Sequence, residues 1–184
     1  MFGTLVSNRL LKQMIVAKEI DIDPFEESML KATHYTLQPG RVLCRTPEGK
    51  WLNAHIFSES ERYVMQPNEY VVVEVRQRVR ILRDGIVGRF ITTSSHVEGG
   101  MLVVAGQIDF QYGSAGEMLR FGVKNLLDSA NEIKKSTRLA HMEFFDLRGV
   151  TVDRPRLTAA EKRLWESRRR DPEDDGPDYG RVPE

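Results

Sequence analysis

The feature that most constrains the fold is a series of short apolar runs across residues 41–147, separated by turn residues. Most runs are rich in β-branched or aromatic residues, which is typical of strands that pack one face on a core. The predicted strands are 32–37, 42–44, 69–75, 79–82, 86–91, 101–105, 118–123 and 139–145. Short strands at fairly regular spacing indicate an all-β barrel or sandwich.

The sequence also predicts one helix before the first strand and one turn after it. Residues 7–18 are predicted to form a short helix, because Ser7 or Asn8 can cap it and apolar residues follow at helical spacing. Pro39 and Gly40 predict a turn after the strand at 32–37.

The chain changes character after Arg148, where Arg, Asp, Glu and Pro replace most large apolar residues. We therefore predict two domains, a β domain over residues 1–148 and a C-terminal arm over residues 149–184. Residues 158–161 read Thr-Ala-Ala-Glu, the spacing of a capping box that begins a short helix in the arm. We expect residues 157–184 to dock on a neighbouring protein in a larger assembly.

Charge and hydropathy exclude several classes of function. The 27 basic residues balance the 27 acidic ones, so nucleic acid and anionic membranes are unlikely partners. No apolar run of about 18 residues is present, and the N-terminus lacks the pattern of a secretory signal. We expect a protein of the cytoplasm or of a virion that is not secreted. The single Cys44 is interpreted as a small buried hydrophobic residue.

Residues 88–112 join a Ser-rich turn to an apolar run that ends in Ala-Gly-Gln-Ile-Asp. This layout resembles the active-site core of the dCTP deaminase and dUTPase family, and further similar segments extend the resemblance over residues 5–148. The resemblance implies a distorted β-barrel with a short N-terminal helix and a C-terminal helical arm. It also implies a homotrimer whose active sites lie between subunits.

The loop that binds phosphate in this family has the form Arg-Ser-Ser-x-x-Arg, and here residues 93–98 read Thr-Ser-Ser-His-Val-Glu. Ser94 and Ser95 are kept, whereas Thr93 and Glu98 stand where the family has arginine. Because a carboxylate repels phosphate, we predict that this loop does not bind a triphosphate in the family manner. The two serines are interpreted as turn residues, and a retained ligand role is the alternative.

The next family pattern, Ala-x-x-Ile-Asp, is matched by Ala105, Ile108 and Asp109. In dUTPases this Asp helps to activate water, but an Asp that forms a turn at a strand end is the interpretation we prefer. Gln107 stands where many deaminases carry Arg. The candidate nucleotide-binding residues are Ser94, Ser95, Ala105, Gln107, Asp109 and Tyr112.

The catalytic Glu of the deaminases precedes an Asn by three residues. Counting back from Asn125 puts Gly122 at that position, and counting forward from Gly116 puts Phe121 there. Neither side chain transfers a proton, and Glu117 lies at the wrong end of the strand unless the register slips. We expect no catalytic residue, with Ser94 and Asp109 as vestigial candidates.

The remaining polar residues do not indicate a second catalytic or metal-binding site. His34, His55, His96 and His141 are scattered, without the spacing of a metal site on one helix or turn. We expect no metal and no cofactor, except Mg²⁺ if the protein is an active enzyme. Arg76, Arg78 and Arg80 share one face of a predicted strand and are interpreted as a solvated face.

The sequence therefore favours a non-catalytic homotrimer with the dCTP deaminase and dUTPase fold. Its predicted role is structural or in protein interaction, for example as a viral structural or decoration protein. One alternative is an active dCTP deaminase or dUTP diphosphatase that uses Asp109. Another is a regulator that binds a nucleotide without turning it over.

Overall fold

The computed structural model describes residues 4–46, 49–104, 106–110, 112–113 and 116–148. Within these residues the chain forms mostly β-strands, with two short α-helices and a short 3₁₀ helix, so the all-β prediction is confirmed. The elements are β1 (Thr4–Leu5), α1 (Asn8–Val16), β2 (Ile20–Asp23), the 3₁₀ helix (Glu27–Met29), β3 (Tyr35–Leu37), β4 (Pro39–Arg45), β5 (Trp51–Ile56), β6 (Arg62–Met65), β7 (Tyr70–Val75), β8 (Arg78–Ile81), β9 (Ile86–Ile91), α2 (Ser94–Glu98), β10 (Met101–Val104), β11 (Gln107–Ile108), β12 (Arg120–Asn125), β13 (Asn131–Lys134) and β14 (Ala140–Asp146).

Helix α1 begins where the sequence predicts it. The hydroxyl of Ser7 accepts a hydrogen bond from the backbone N–H of Leu10, which satisfies one of the free donors of the first turn. Leu11 and Met14 lie on the buried side of the helix and pack into the core. The apolar stripe therefore both defines the helix and attaches it to the sheets.

Two larger sheets carry most of the strands. The β14 sheet has the order β1-β14-β9-β11, with β3 also paired to β14, and the β7 sheet has the order β10-β12-β7-β4-β5. Strands β6 with β13 and β2 with β8 form two small antiparallel ribbons. The core lies against the faces that carry Val71, Val73, Phe121, Met142 and Phe144, which are all nearly fully buried.

Several local predictions from the sequence were wrong. Pro39 and Gly40 do not form a turn but begin β4, where the register shifts between Pro39 and Arg41. Gly40 fits there because a Cβ at this position would press on the backbone of Val75 and Arg76. The sequence also missed β5, β6 and β13, which show no clear alternation of apolar and polar residues. Cys44 is only half-buried, with Sγ 3.7 Å from the hydroxyl oxygen of Tyr63.

The arginine face is solvated and ion-paired, which is consistent with its interpretation from the sequence. The guanidinium of Arg76 lies 2.7 Å from the Glu26 carboxylate, and that of Arg80 lies 2.7 Å from the Asp21 carboxylate. The charge of this stripe is therefore largely balanced by acidic residues on neighbouring segments.

The second compact unit of the chain includes the tip of the β4–β5 hairpin, residues 45–51. Its turn is closed by a hydrogen bond of 2.8 Å from the backbone N–H of Thr46 to the carbonyl of Lys50. The predicted arm, residues 149–184, lies outside the described residues, so its boundary, helix and docking role stay predictions. Of the helices that the structure describes, none has the length and apolar character needed to cross a bilayer.

Candidate functional site

The Ser-rich segment after β9 folds as the one-turn helix α2 rather than as an open turn. The hydroxyls of Thr93 and Ser95 lie 2.9 Å apart and share a hydrogen bond, and the Thr93 carbonyl accepts the backbone N–H of His96. Thr93 is buried, whereas Ser94, Ser95 and Glu98 are exposed. The two predicted serines are thus on the surface, next to an exposed carboxylate.

The second predicted segment forms a tight turn after β11. Gln107 is exposed and pairs with Arg89 of β9, and the exposed Asp109 follows directly after the strand. The carbonyl of Asp109 accepts the backbone N–H of Tyr112 at 3.1 Å, as in a turn. Ala105 lies outside the described residues.

Tyr112 turns its ring toward the interior. The ring is half-buried and packs on the core, while the Tyr112 carbonyl accepts the backbone N–H of Ile81. Burial raises the pKa of Tyr112 to about 12; the nearby Glu117 and Glu74 add to this rise, and Arg120 opposes it. The phenol is therefore neutral near pH 7 and can donate a hydrogen bond.

A buried ion-pair row lies close to Tyr112, on the outer face of the β7 sheet. Arg41, Glu74 and Arg120 sit side by side on β4, β7 and β12 because the register places each arginine opposite the glutamate. Arg41 donates to both Glu74 carboxylate oxygens, at 2.7 and 3.0 Å, and Arg120 donates to one of them at 2.9 Å. We call this group the Arg–Glu–Arg row. Sequence reasoning missed it, because its members are distant in the chain and meet only through strand pairing.

Phe121 and Gly122, the two residues that the sequence comparison places at the deaminase glutamate position, both lie on β12. Phe121 points into the core and contacts the Phe90 ring edge-on, with the centroids 5.1 Å apart. Gly122 lies on the outer face beneath Tyr70, whose ring and hydroxyl occupy the space that a side chain at 122 would need. Glu117 precedes the strand. Both sequence alignments therefore lead to a residue without a carboxylate.

The α2 segment and the β11 turn are held by different partners. On α2, the hydroxyls of Thr93 and Ser95 hydrogen-bond to each other, whereas the β11 turn is hydrogen-bonded to β8 and β9. Tyr112 of this turn lies within electrostatic reach of the Arg–Glu–Arg row.

Strand pairing brings three of the four histidines nearer to one another than their positions in the sequence indicate. The rings of His34 and His141 stack with their centroids 4.0 Å apart, and His96 lies within electrostatic reach of His141. His55 lies elsewhere, against Phe57 and Tyr63. Among the described residues, however, no group of three His, Cys, Asp or Glu side chains is arranged to hold a metal ion.

Substitution of two glycines that follow β11 tests the backbone conformation of this segment. Gly113 and Gly116 both have positive φ, at 79° and 91°, but only at Gly113 would a Cβ collide with a backbone atom, the Val79 carbonyl oxygen. We expect Gly113→Ala to lower the free energy of unfolding by roughly 3 kcal/mol or more and Gly116→Ala by about 1 kcal/mol. Urea unfolding of both variants measures the difference. Equal losses would show that the contact with β8 does not matter.

No protein-family model matches the sequence, and no curated protein matches it either. Among solved structures, the fold is similar to that of the 2′-deoxycytidine 5′-triphosphate deaminase from Agrobacterium tumefaciens, with a TM-score of 0.63 and 10% sequence identity. The match covers 79% of this chain and 49% of that one, so the chain spans about half the length of the enzyme. At this identity the similarity shows the fold alone.

Two phage proteins are similar at a lower level. A mutant dUTPase from phage phi11 of S. aureus has a TM-score of 0.46 and 14% identity, covering 68% of this chain and 88% of that one. A mutant dUTPase from Staphylococcus bacteriophage 80alpha has a TM-score of 0.46 and 15% identity, covering 68% and 80%. The implied fold of the dCTP deaminase and dUTPase family is thus supported by the deaminase structure.

Proposed function

We propose that this chain is a non-catalytic homotrimer with the dCTP deaminase fold, acting as a structural or interaction module, for example in a virion. The proposal rests on one observation, the register of β12. On that strand, Phe121 faces the core and Gly122 lies on the outer face. A deaminase needs a carboxylate at this position to transfer protons, and neither residue has one. The trimer and the viral role follow from the family resemblance, since a compact trimer suits a threefold position in a larger assembly.

The remaining carboxylates near β12 are poorly suited to replace the missing acid. Glu74 is buried and accepts three hydrogen bonds from two arginines, which occupy both of its carboxylate oxygens. Asp109 is exposed at the turn after β11, where its carboxylate is solvated. We therefore assign Glu74 a structural role, in which its carboxylate links strands β4, β7 and β12, and not a role in proton transfer.

The α2 region supports the same proposal. A triphosphate needs several cationic or N–H donors, and α2 presents Ser94, Ser95 and the carboxylate of Glu98 at the surface. A negative side chain beside the two hydroxyls opposes phosphate binding. A regulator that binds a nucleotide in the family manner is thus the less favoured alternative.

Activity is tested by incubating the full-length protein with dCTP or dUTP and Mg²⁺, with an active dCTP deaminase as the positive control. We expect no deamination and no release of diphosphate. Turnover that disappears in Asp109→Asn would overturn the proposal in favour of the active-enzyme alternative. Light scattering tests the assembly, for which we expect three times the chain mass of 21.1 kDa. A monomer would contradict the trimer.

A charge change on α2 tests the electrostatic part of the argument. We expect no detectable heat when wild-type protein is titrated with dCTP at millimolar concentration. Glu98 is exposed, so Glu98→Arg removes a repulsion and adds an attraction, each of about 1 kcal/mol for charges about 4 Å apart in water, and binding of dCTP and of tripolyphosphate should become measurable.

The control for this variant is Glu59→Arg, which makes the same charge change at an exposed position after β5. Equal binding by the two variants would mean that net charge, and not the local field at α2, controls the affinity. Heat from the wild-type protein would favour the nucleotide-binding regulator.

A further inference from the structure

Two histidines stack on the outer face of the β14 sheet, and a third lies within electrostatic reach of one of them, although the three are distant in the sequence. His141 lies on β14, and its ring stacks on that of His34 at an interplanar angle of 22°. Helix α2 follows β9, packs on β10 and brings His96 within electrostatic reach of His141. The one-turn helix is thus attached beside a histidine pair.

His96 is the buried anchor of α2. Its side chain is only 5% exposed, and neither ring nitrogen has a hydrogen-bond partner among the described residues. Thr36, which pairs with His141 across the sheet, is 1% exposed and its hydroxyl likewise has no partner in that part of the chain. A neutral imidazole tolerates such surroundings, whereas an imidazolium would lose its hydration without gaining an acceptor.

The charged groups around this corner are mostly cationic or already ion-paired. The ionisable groups that face the histidines are Lys31 and His34 before β3, Arg138 before β14, His141 and Glu143 on β14, and Arg89 on β9. Strand β10, which α2 contacts, has no ionisable residue, and Glu98 on α2 is exposed. Glu143, a carboxylate that faces His34 and His141, is already bound by Arg89 at 2.6 Å. It is therefore poorly available to stabilise an additional proton.

We propose that α2 is a pH-sensitive latch, docked while His96 is neutral and released when the His96 ring takes up a proton. On release, the imidazolium gains water, and the hydroxyls of Ser94 and Ser95 move with the helix. This inference does not depend on the proposed function, because it uses only the docking of α2.

The sign of the effect follows from burial. Burial lowers the pKa of His96, and burial first, with neighbouring cations second, lowers the pKa of His141. For His34, burial lowers the pKa and Glu143 partly offsets that change. A released histidine titrates at about 6.5, so docking is fully favourable above that pH and weakens as the pH falls toward the lowered value.

Hydrogen exchange of the full-length protein, read by mass spectrometry at pH 7.5 and 5.5, tests the latch. After correction for the intrinsic pH dependence of exchange, peptides covering α2 should lose protection by about tenfold, the factor that one histidine gives for one pH unit below 6.5. Peptides from β7 and β12 should keep their protection. Equal protection of α2 at both pH values, or loss in all peptides together, would overturn the proposal.

Two matched variants test whether His96 is the histidine that causes the pH dependence of α2. His96→Phe keeps a buried ring that cannot titrate, so the pH dependence at α2 should vanish. His55→Phe is the control, because His55 contacts Phe57 and Tyr63 rather than the cluster, and it should keep the full tenfold change. A pH response that survives in His96→Phe, or disappears in His55→Phe, would exclude His96 as the latch.

A test without substitution covers the case in which His96→Phe does not fold. The ring of His96 in the unmodified protein can be titrated by NMR together with the amide signals of α2. We expect both to change with the same midpoint, below 6.5. A ring that titrates while the α2 amides stay unchanged would overturn the proposal.

Discussion

Replacement of Glu74 by alanine should lower the free energy of unfolding by about 3–5 kcal/mol, because it leaves two partly buried arginines without their shared counter-ion. Arg41 and Arg120 flank the glutamate on neighbouring strands and donate to its two oxygens. Because both arginines are partly buried, water can only partly replace the lost carboxylate. The penalty should therefore exceed that of a lost surface contact.

Urea unfolding of Glu74→Ala and Glu132→Ala measures this effect against a matched control. Glu132 also pairs with an arginine, at 3.0 Å from Arg62, but its side chain is 36% exposed and the pair is solvated. The control should lose about 1 kcal/mol or less. Equal losses would mean that the Arg–Glu–Arg row contributes no more than an ordinary surface pair.

The second large effect is expected at Phe121, where truncation to alanine should cost about 3–5 kcal/mol. Its side chain is 2% exposed and sits in the core against Phe90, so the missing ring would leave a cavity that rigid strands cannot close. Phe110→Ala is the control, because Phe110 is 39% exposed at the turn after β11 and should lose less than about 1 kcal/mol.

Thermal and urea unfolding of the two phenylalanine variants distinguish packing from a functional role. A large loss at Phe121 supports its place in the core, on the face opposite to Gly122. A small loss would mean that the ring is replaceable, and the register of β12 would then need another explanation. The proposal of a non-catalytic module depends on that register.

Apolar periodicity was sufficient to predict three of the longer strands that contact the core. Strands β7, β9 and β14 were predicted to within one residue at each end, because apolar residues fill their inward positions. Helix α1 was predicted from its cap and its apolar stripe. Strands β6 and β13 were missed, although Met65 and Ile133 lie in the core, because both strands are short and carry few buried residues. Strand β5 was missed because most of its residues are exposed and show no alternation.

The candidate site was harder to predict, since its geometry depends on pairing between distant strands. The resemblance directed attention to residues 93–98 and 105–109, but a linear pattern does not show that Thr93 and His96 are buried while Ser94 is exposed. The residues of the Arg–Glu–Arg row, and likewise His34, His96 and His141, are far apart in the sequence, so no motif marks either group. Each is created by register, which a single sequence specifies only through the complete fold.

The central place of β14 has a consequence for how the chain is made. This strand, residues 140–146, pairs with β1, β3 and β9, which all leave the ribosome earlier. The strand edges that pair with β14 therefore stay without their partner until β14 itself has been synthesised. This sheet is consequently completed late in synthesis. Nascent chains that stop before β14 should accordingly depend on chaperones to avoid joining one another.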